Sequence, residues 1–179
     1  MDGFPQPHLI KYTMSLDSRG EFLSLLTPQM LEPSSGFAGV RQVNLSITTQ
    51  SGTVRGLHGQ LPPFAEAKIV TCIRGRIFDV VVDVRRNSPT FLRWVSFELS
   101  AKDSQSLFIP RGYLHGFQSL DEKVEIMYLH DQPYVPGSEF RINPLDPSLD
   151  ILWPTNVELV SEKDLASQLV ARDFEGLSV

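Results

Sequence analysis

Turn-forming residues limit this chain to short strands. Thirteen prolines and twelve glycines are spread through its 179 residues and cut the apolar stretches into brief segments. That rhythm belongs to β-sandwiches and barrels. Residues 43–48, 53–60, 93–99, 106–109, 116–120 and 124–129 read as strands. Residues 68–84 read as a hairpin turning at Arg74-Gly75. In 93–99 the pattern alternates, with Val95, Phe97 and Leu99 on one face and Trp94, Ser96 and Glu98 on the other. The spacing of these segments predicts an all-β chain folded as an antiparallel jelly roll or barrel. Helices are peripheral: a short turn or helix at 28–32, and a C-terminal helix over 161–174. Ser161 serves there as N-cap, and Leu165, Leu169 and Val170 form the apolar stripe. Residues 143–158, rich in Pro and Asp, are expected to be irregular and to wrap the barrel. With no repeat or linker, residues 1–179 are expected to form one domain, and the length suffices for a real core.

The formal net charge of −5 argues against a nucleic-acid binder, whose affinity rests on neutralising phosphates. It leaves room for a local basic pocket. The single cysteine, Cys72, excludes an internal disulfide and a cysteine-based zinc site; its neighbours Ile69, Val70 and Ile73 make it a small buried hydrophobe. The start, Met1-Asp2-Gly3-Phe4-Pro5, lacks the basic stretch and apolar core of a signal peptide. Asp79 and Asp83 interrupt the best candidate for a membrane span. A cytoplasmic protein with no membrane partner is expected.

Few side chains are placed to do chemistry. His58, one of four histidines, lies in Val54-Arg55-Gly56-Leu57-His58-Gly59-Gln60. On a regular strand Arg55 and His58 would face opposite sides, but a bend at Gly56 would turn both toward one cavity. His58 reads equally as a core histidine or as a base. Metal-binding jelly rolls commonly offer two histidines one residue apart, and here Gln60 occupies the second position, so no metal is expected. Lys68 opens an apolar strand, either as a strand-end lysine reaching water or as a cation beside an oxyanion. His115 follows the turn Ile109-Pro110-Arg111-Gly112, flanked with Tyr113 about Leu114. Tyr128 reads as a strand aromatic, and Asp164 as a first-turn helix carboxylate.

Taken in order, a longer series of motifs is specific. It runs Arg19-Gly20; Gln42-Val43-Asn44; Val54-Arg55-Gly56-Leu57-His58 with Gln60; Lys68; and Gly75-Arg76-Ile77-Phe78-Asp79-Val80-Val81-Val82-Asp83-Val84-Arg85. It continues through Ser88-Pro89-Thr90-Phe91, Trp94-Val95, Leu99-Ser100-Ala101 and Phe108-Ile109-Pro110-Arg111-Gly112-Tyr113-Leu114-His115-Gly116-Phe117. It ends with Glu125-Ile126-Met127-Tyr128, Asp146-Pro147 and Trp153-Pro154. From about Arg19 to Asp164 the chain resembles the sugar-nucleotide epimerases typified by dTDP-4-dehydrorhamnose 3,5-epimerase.

The resemblance implies a cupin-type jelly-roll barrel (a double-stranded β-helix), a homodimer, no metal or nicotinamide cofactor, and a 4-keto sugar carried on a nucleoside diphosphate. The ketone acidifies the protons on C3 and C5; a base removes one, an enolate forms, and reprotonation on the other face inverts the carbon. By the same resemblance His58 is the base, oriented by Asp164; Tyr128 returns the proton; Lys68 stabilises the enolate oxygen and contacts substrate. Arg55 and Arg19 hold phosphates, and Gln42, Asn44, His115, Glu139 and Lys163 match further ligand-binding positions. The chain departs from the family pattern at Ser24, where a carboxylate usually helps hold the base, and at Pro133-Tyr134, where two tyrosines are usual. Leu45-Ser46 replaces a His-Ser pair. Alternatives left open are inversion at a single carbon, a 3,4-ketoisomerase on a non-thymidine nucleotide sugar, and a sugar-nucleotide-binding jelly roll without catalysis.

Overall fold

The computed structural model of the protein describes residues 5–31 and 36–179. Strands β1 (His8–Lys11), β4 (Gln42–Thr48), β6 (Lys68–Arg74), β9 (Gln105–Ile109) and β11 (Val124–His130) form one antiparallel sheet, in the order β1-β9-β6-β11-β4. Strands β5 (Thr53–Gln60), β7 (Arg76–Asp83), β8 (Trp94–Ser100), β10 (Tyr113–Ser119) and β12 (Glu139–Arg141) form a second, in the order β12-β5-β10-β7-β8. The two-residue β13 (Leu159–Val160) joins β5 in parallel. Among the described residues, strands β2 (Thr13–Asp17) and β3 (Gly20–Ser24) pair only with each other, as a separate ribbon. From β4 to β7 successive strands alternate between the two sheets, and β9, β10 and β11 alternate again. This crossing back and forth is the jelly roll that the turn pattern predicts.

The hairpin expected over 68–84 is not one. β6 and β7 meet at Gly75, but each pairs within a different sheet. Both strands are apolar on both faces, so each can be buried from two sides. On β7, Ile77 and Val81 join Val70, Cys72, Leu107, Ile109 and Ile126 in a core between the sheets. Val80 and Val82 face the opposite way, into a second core with Leu57, Leu114 and Ile142. That outer core is covered by the irregular segment expected at 143–158, through Leu149, Ile151 and Trp153, and by Val170 and Phe174 beyond it. Cys72 is buried, and burial pushes its thiol up to about 11.

The C-terminal helix is much shorter than expected: α1 spans only Glu162–Leu165. Ser161 does cap it, its hydroxyl accepting from the Asp164 N–H at 3.1 Å. The stripe behind that expectation stays largely in solvent, since Leu165 and Leu169 are exposed. The chain after Leu165 is held instead by polar contacts, Val170 N–H to Asp146 Oδ2 and Asn143 N–H to Gln168 O, and by Val170, Phe174 and Leu177 on the outer core. The short element expected at 28–32 is a 3-10 turn at Pro28–Met30; Glu32 lies outside the described residues.

Candidate active site

One end of the space between the sheets is apolar and the other polar. The change happens along single strands. On β6 the inward row runs Cys72, Val70, Lys68; on β11 it runs Val124, Ile126, Tyr128, His130. Lys68 and His130 are direct cross-strand partners. The polar end opens into a cavity of about 490 Å³.

His58 enters this cavity from the facing sheet. Across β10, His58 pairs with His115 and Arg55 with Phe117, so three steps on β5 match two on β10. The extra residue is the bend anticipated at Gly56, and it brings Arg55 and His58 to the same cavity. Only glycine fits there: φ is +111°, and a Cβ would lie 2.6 Å from the Gly116 Cα and the His115 carbonyl. Arg55 reaches the rim, its Nε donating to Thr48 Oγ1 at 3.1 Å.

Lys68 does not extend to water. It is 2% exposed, and its Nζ lies 2.8 Å from Glu66 Oε1. Glu66 in turn accepts from Gln60 Nε2 at 2.5 Å. Burial pushes the Glu66 carboxyl up, but the Lys68 ammonium and these hydrogen bonds outweigh it and hold the group below the usual glutamate range. Gln60, at the position a metal-binding jelly roll would give to histidine, is committed to structure: its Oε1 accepts from Val135 N–H and Ser138 Oγ. Among the described residues no group of three or more His, Cys, Asp or Glu is placed to hold a metal ion.

Three rings form a row, with His58 and Tyr128 on the cavity and His115 behind them. His115 lies edge-on between His58 and Tyr128, with centroid separations of 6.2 and 6.0 Å. Tyr128 stacks on His130 at 6.0 Å. Burial lowers the His58 and His115 imidazoles well below 6.5, with Lys68 adding to the effect, so both are neutral near pH 7. Burial likewise brings His130 down to about 4 and raises the Tyr128 hydroxyl, which stays protonated. His115 Nε2 is 2.8 Å from Asp79 Oδ2, itself fully buried and pushed well up by burial.

The expected site residues are distributed unevenly. His58, Lys68, Tyr128, Arg55, Asn44, Lys163 and Asp164 line the main cavity. Gln42 and Glu139 line a smaller lobe of about 180 Å³ that shares His58 and Lys68 with it. His115 is wholly buried and lines neither; it backs His58. Arg19 stands at the turn of the β2–β3 ribbon, also outside the lining, paired with Asp17 at 2.6 Å. Asp164 does not hydrogen-bond His58: its Oδ1 accepts from Arg141 Nη1 at 2.6 Å, and its Oδ2 from Gly56 N–H at 3.4 Å. Arg141, Glu66 and His130 are lining residues that the sequence reading missed. Arg141 follows Glu139 by two, the repeat of a strand face, and Glu66 precedes Lys68 by two.

The match to known proteins agrees with this architecture. The family model described as dTDP-4-dehydrorhamnose 3,5-epimerase matches residues 3–172. The chain belongs to the dTDP-4-dehydrorhamnose 3,5-epimerase family. It is 42% identical over 149 residues to the dTDP-4-dehydrorhamnose 3,5-epimerase of Sinorhizobium fredii, covering 83% of this chain and 76% of that one. The crystal structure of the Bacillus anthracis dTDP-4-dehydrorhamnose 3,5-epimerase with TDP and PPi bound superposes with a TM-score of 0.86 at 34% identity, covering 92% of this chain and 94% of that one. That of ChmJ, a 3'-monoepimerase from Streptomyces bikiniensis in complex with dTDP-quinovose, gives a TM-score of 0.83 at 33% identity, covering 91% and 83%. As a member of this epimerase family the chain is an isomerase. Its jelly roll is the family's fold, and no helix among the described residues is long and apolar enough to cross a membrane.

Proposed function

We propose that this chain inverts the carbon beside the ketone of a 4-keto-6-deoxy sugar carried on a nucleoside diphosphate, at C3, C5 or both, in deoxysugar synthesis for a polysaccharide or a secondary metabolite. The observation that carries this reading is that His58 and Tyr128 enter one cavity from opposite sheets, with Lys68 lining it from the same sheet as Tyr128. Inversion needs a proton taken from one face of the sugar and another delivered to the other face. A neutral imidazole is the form that accepts a proton, and a protonated phenol is the form that gives one. The Lys68 ammonium supplies charge where the enolate oxygen develops, an effect worth roughly 3 kcal/mol for one preorganised donor. Arg55 at the rim and Lys163 supply cations for the diphosphate. Relatives named as acting on thymidine-diphosphate sugars make thymidine the first nucleotide to try.

A homodimer belongs to the same reading. Among the described residues the β2–β3 ribbon pairs with no other strand, and it exposes Met14, Leu16 and Phe22. Edge strand β4 exposes Val43, Leu45 and Ile47. A second copy would cover such apolar surface, and it is the route by which Arg19, remote from its own cavity, reaches a phosphate.

Incubation with thymidine-diphosphate 4-keto-6-deoxyglucose in deuterium oxide tests the reaction. Deuterium at C3 or C5 with inversion, read by NMR of the product, is expected. Absence of exchange with thymidine, guanosine and cytidine diphosphate sugars would end the proposal, and movement of the carbonyl to C3 would replace it with ketoisomerisation. Sedimentation velocity reads the dimer.

A further inference from the structure

One carboxylate in the cavity has two claimants. Arg141 and His58 are direct cross-strand partners on β12 and β5, so their side chains leave the same face of the sheet into the cavity that Asp164 also lines. The guanidinium has taken the carboxylate: Nη1 donates to Asp164 Oδ1 at 2.6 Å, while Nη2 donates to Glu139 Oε1 at 2.8 Å. Lys163 Nζ closes the network on Glu139 Oε2 at 2.8 Å. His58 Nδ1, by contrast, is buried with no hydrogen-bond partner among the described residues. A buried ring nitrogen left unpaired is costly. An ion pair between a fork-shaped guanidinium and a carboxylate is stronger than a hydrogen bond from a neutral imidazole to the same oxygens.

We propose that Arg141 is a positioning residue for the reaction, holding the Asp164 carboxylate off the His58 ring while that ring is neutral. The inference rests on the reading of His58 as the base. Its chemical consequence is a base kept ready in its proton-accepting form. When His58 takes a proton from the sugar carbon, the imidazolium becomes a charged donor at Nδ1, and only then does it compete with Arg141 for Asp164.

Other groups around His58 act on it too and set the controls. From the facing sheet come Lys68, Tyr128 and His130, with Glu66 behind Lys68. From its own sheet come Arg55, Glu139, Arg141 and the buried His115–Asp79 pair, and from α1 come Lys163 and Asp164. Arg141 also acts directly, as a nearby positive charge that disfavours the imidazolium. Competition for Asp164 and this through-space effect are distinguished by removing Asp164.

The experiment titrates the His58 ring by NMR, using nitrogen-15-labelled histidine, in the wild type, Arg141→Gln, Arg141→Lys, Asp164→Asn and the double variant Asp164→Asn/Arg141→Gln. The acid limb of kcat/KM is measured wherever turnover allows. Arg141→Gln should raise the His58 titration by about one pH unit or more, as expected when an imidazole gains a close carboxylate partner. Arg141→Lys, which keeps a cation on Asp164, should restore the low value. In the Asp164→Asn background Arg141→Gln should add little. An unchanged titration in Arg141→Gln overturns the inference, and so does the same shift persisting without Asp164, which would leave only the direct charge effect. Because the ring is read without turnover, a failed epimerase assay and a failed Arg141 inference are separate results.

Discussion

Lys68 and Glu66 form a buried ion pair at 2.8 Å, on the wall of the cavity opposite His58. An ammonium at 2% exposure is tolerated only with such a partner. Breaking a buried pair from one side leaves an uncompensated charge and costs about 3–5 kcal/mol. Glu66→Gln is therefore expected to lower thermal stability strongly and to weaken turnover, since it frees the Lys68 ammonium from its position. The folded Glu66 carboxyl titrates below its ordinary value of 4.5. Its contribution to stability is thus complete above that value and is lost as pH falls through the lower folded one. Melting curves of the wild type and Glu66→Gln should differ most at neutral pH and converge in acid.

Acid should also act through the histidines, with its own pH window. The unfolded chain takes protons on histidine as pH falls through about 6.5, whereas His58 and His115 refuse them until well below that value, and His130 until about 4. The unfolded state then binds more protons, so stability falls as pH drops below 6.5. The slope of melting temperature against pH between 6.5 and 4.5 should be shallower in His130→Gln, which removes one of the three. An unchanged slope would contradict the burial of that ring. For the same reason the proton-accepting form of His58 persists through neutrality, and kcat/KM should stay flat from pH 8 down past 6.5.

Tyr128 and His58 come from different sheets, so the roles proposed for them are separable. Tyr128→Phe should leave His58 able to remove and return the sugar proton on its own face. In deuterium oxide this variant is expected to exchange the proton at C3 or C5 while inversion falls about 10²–10⁴-fold, the usual value of a general acid. His58→Asn should lose exchange and inversion together. Inversion retained in Tyr128→Phe would assign the proton donor elsewhere, with His130, stacked on Tyr128, the nearest candidate.

The strands from β5 to β11 were legible because each carries apolar residues into a core and is bounded by Gly, Pro or charged turns; β4 was legible by its alternation alone, since Val43, Leu45 and Ile47 are exposed. The first three strands were not. β2 is exposed along its whole length and β3 along most of it, so no burial shaped their sequence into a period. β12 is three residues long, too short for any pattern. The site divides in the same way. Arg55 and His58 could be assigned to one cavity because Gly56 announces a bend. Arg141 and His130 enter the cavity only through strand register, opposite His58 and Lys68, and register between distant segments is a property of the folded sheet. The helix over 161–174 failed for the converse reason: a helical stripe was present, but nothing packed on Leu165 and Leu169 to reward it.

Gly56 is where fold and chemistry are most tightly joined. Its φ of +111° lies outside the range that side chains tolerate, and an added Cβ would strike the backbone of His115 and Gly116 at 2.6 Å. Neither contact can relax by a side-chain rotation, because both belong to the central strand β10. Gly56→Ala is expected to cost about 1–3 kcal/mol from the strained backbone alone, with the overlap adding to it. The bend is also what lets Arg55 and His58 share one cavity. Whatever fraction of Gly56→Ala folds should therefore show a higher KM from the displaced Arg55 and a lower kcat from the displaced His58, measured by product NMR over a range of substrate concentrations. By contrast, Gly137→Ala, at a glycine with φ +85° but no atom within 4 Å of an added Cβ, should be much milder in both. Equal effects from the two substitutions would show that backbone strain, rather than the close approach of β5 to β10, is what Gly56 serves.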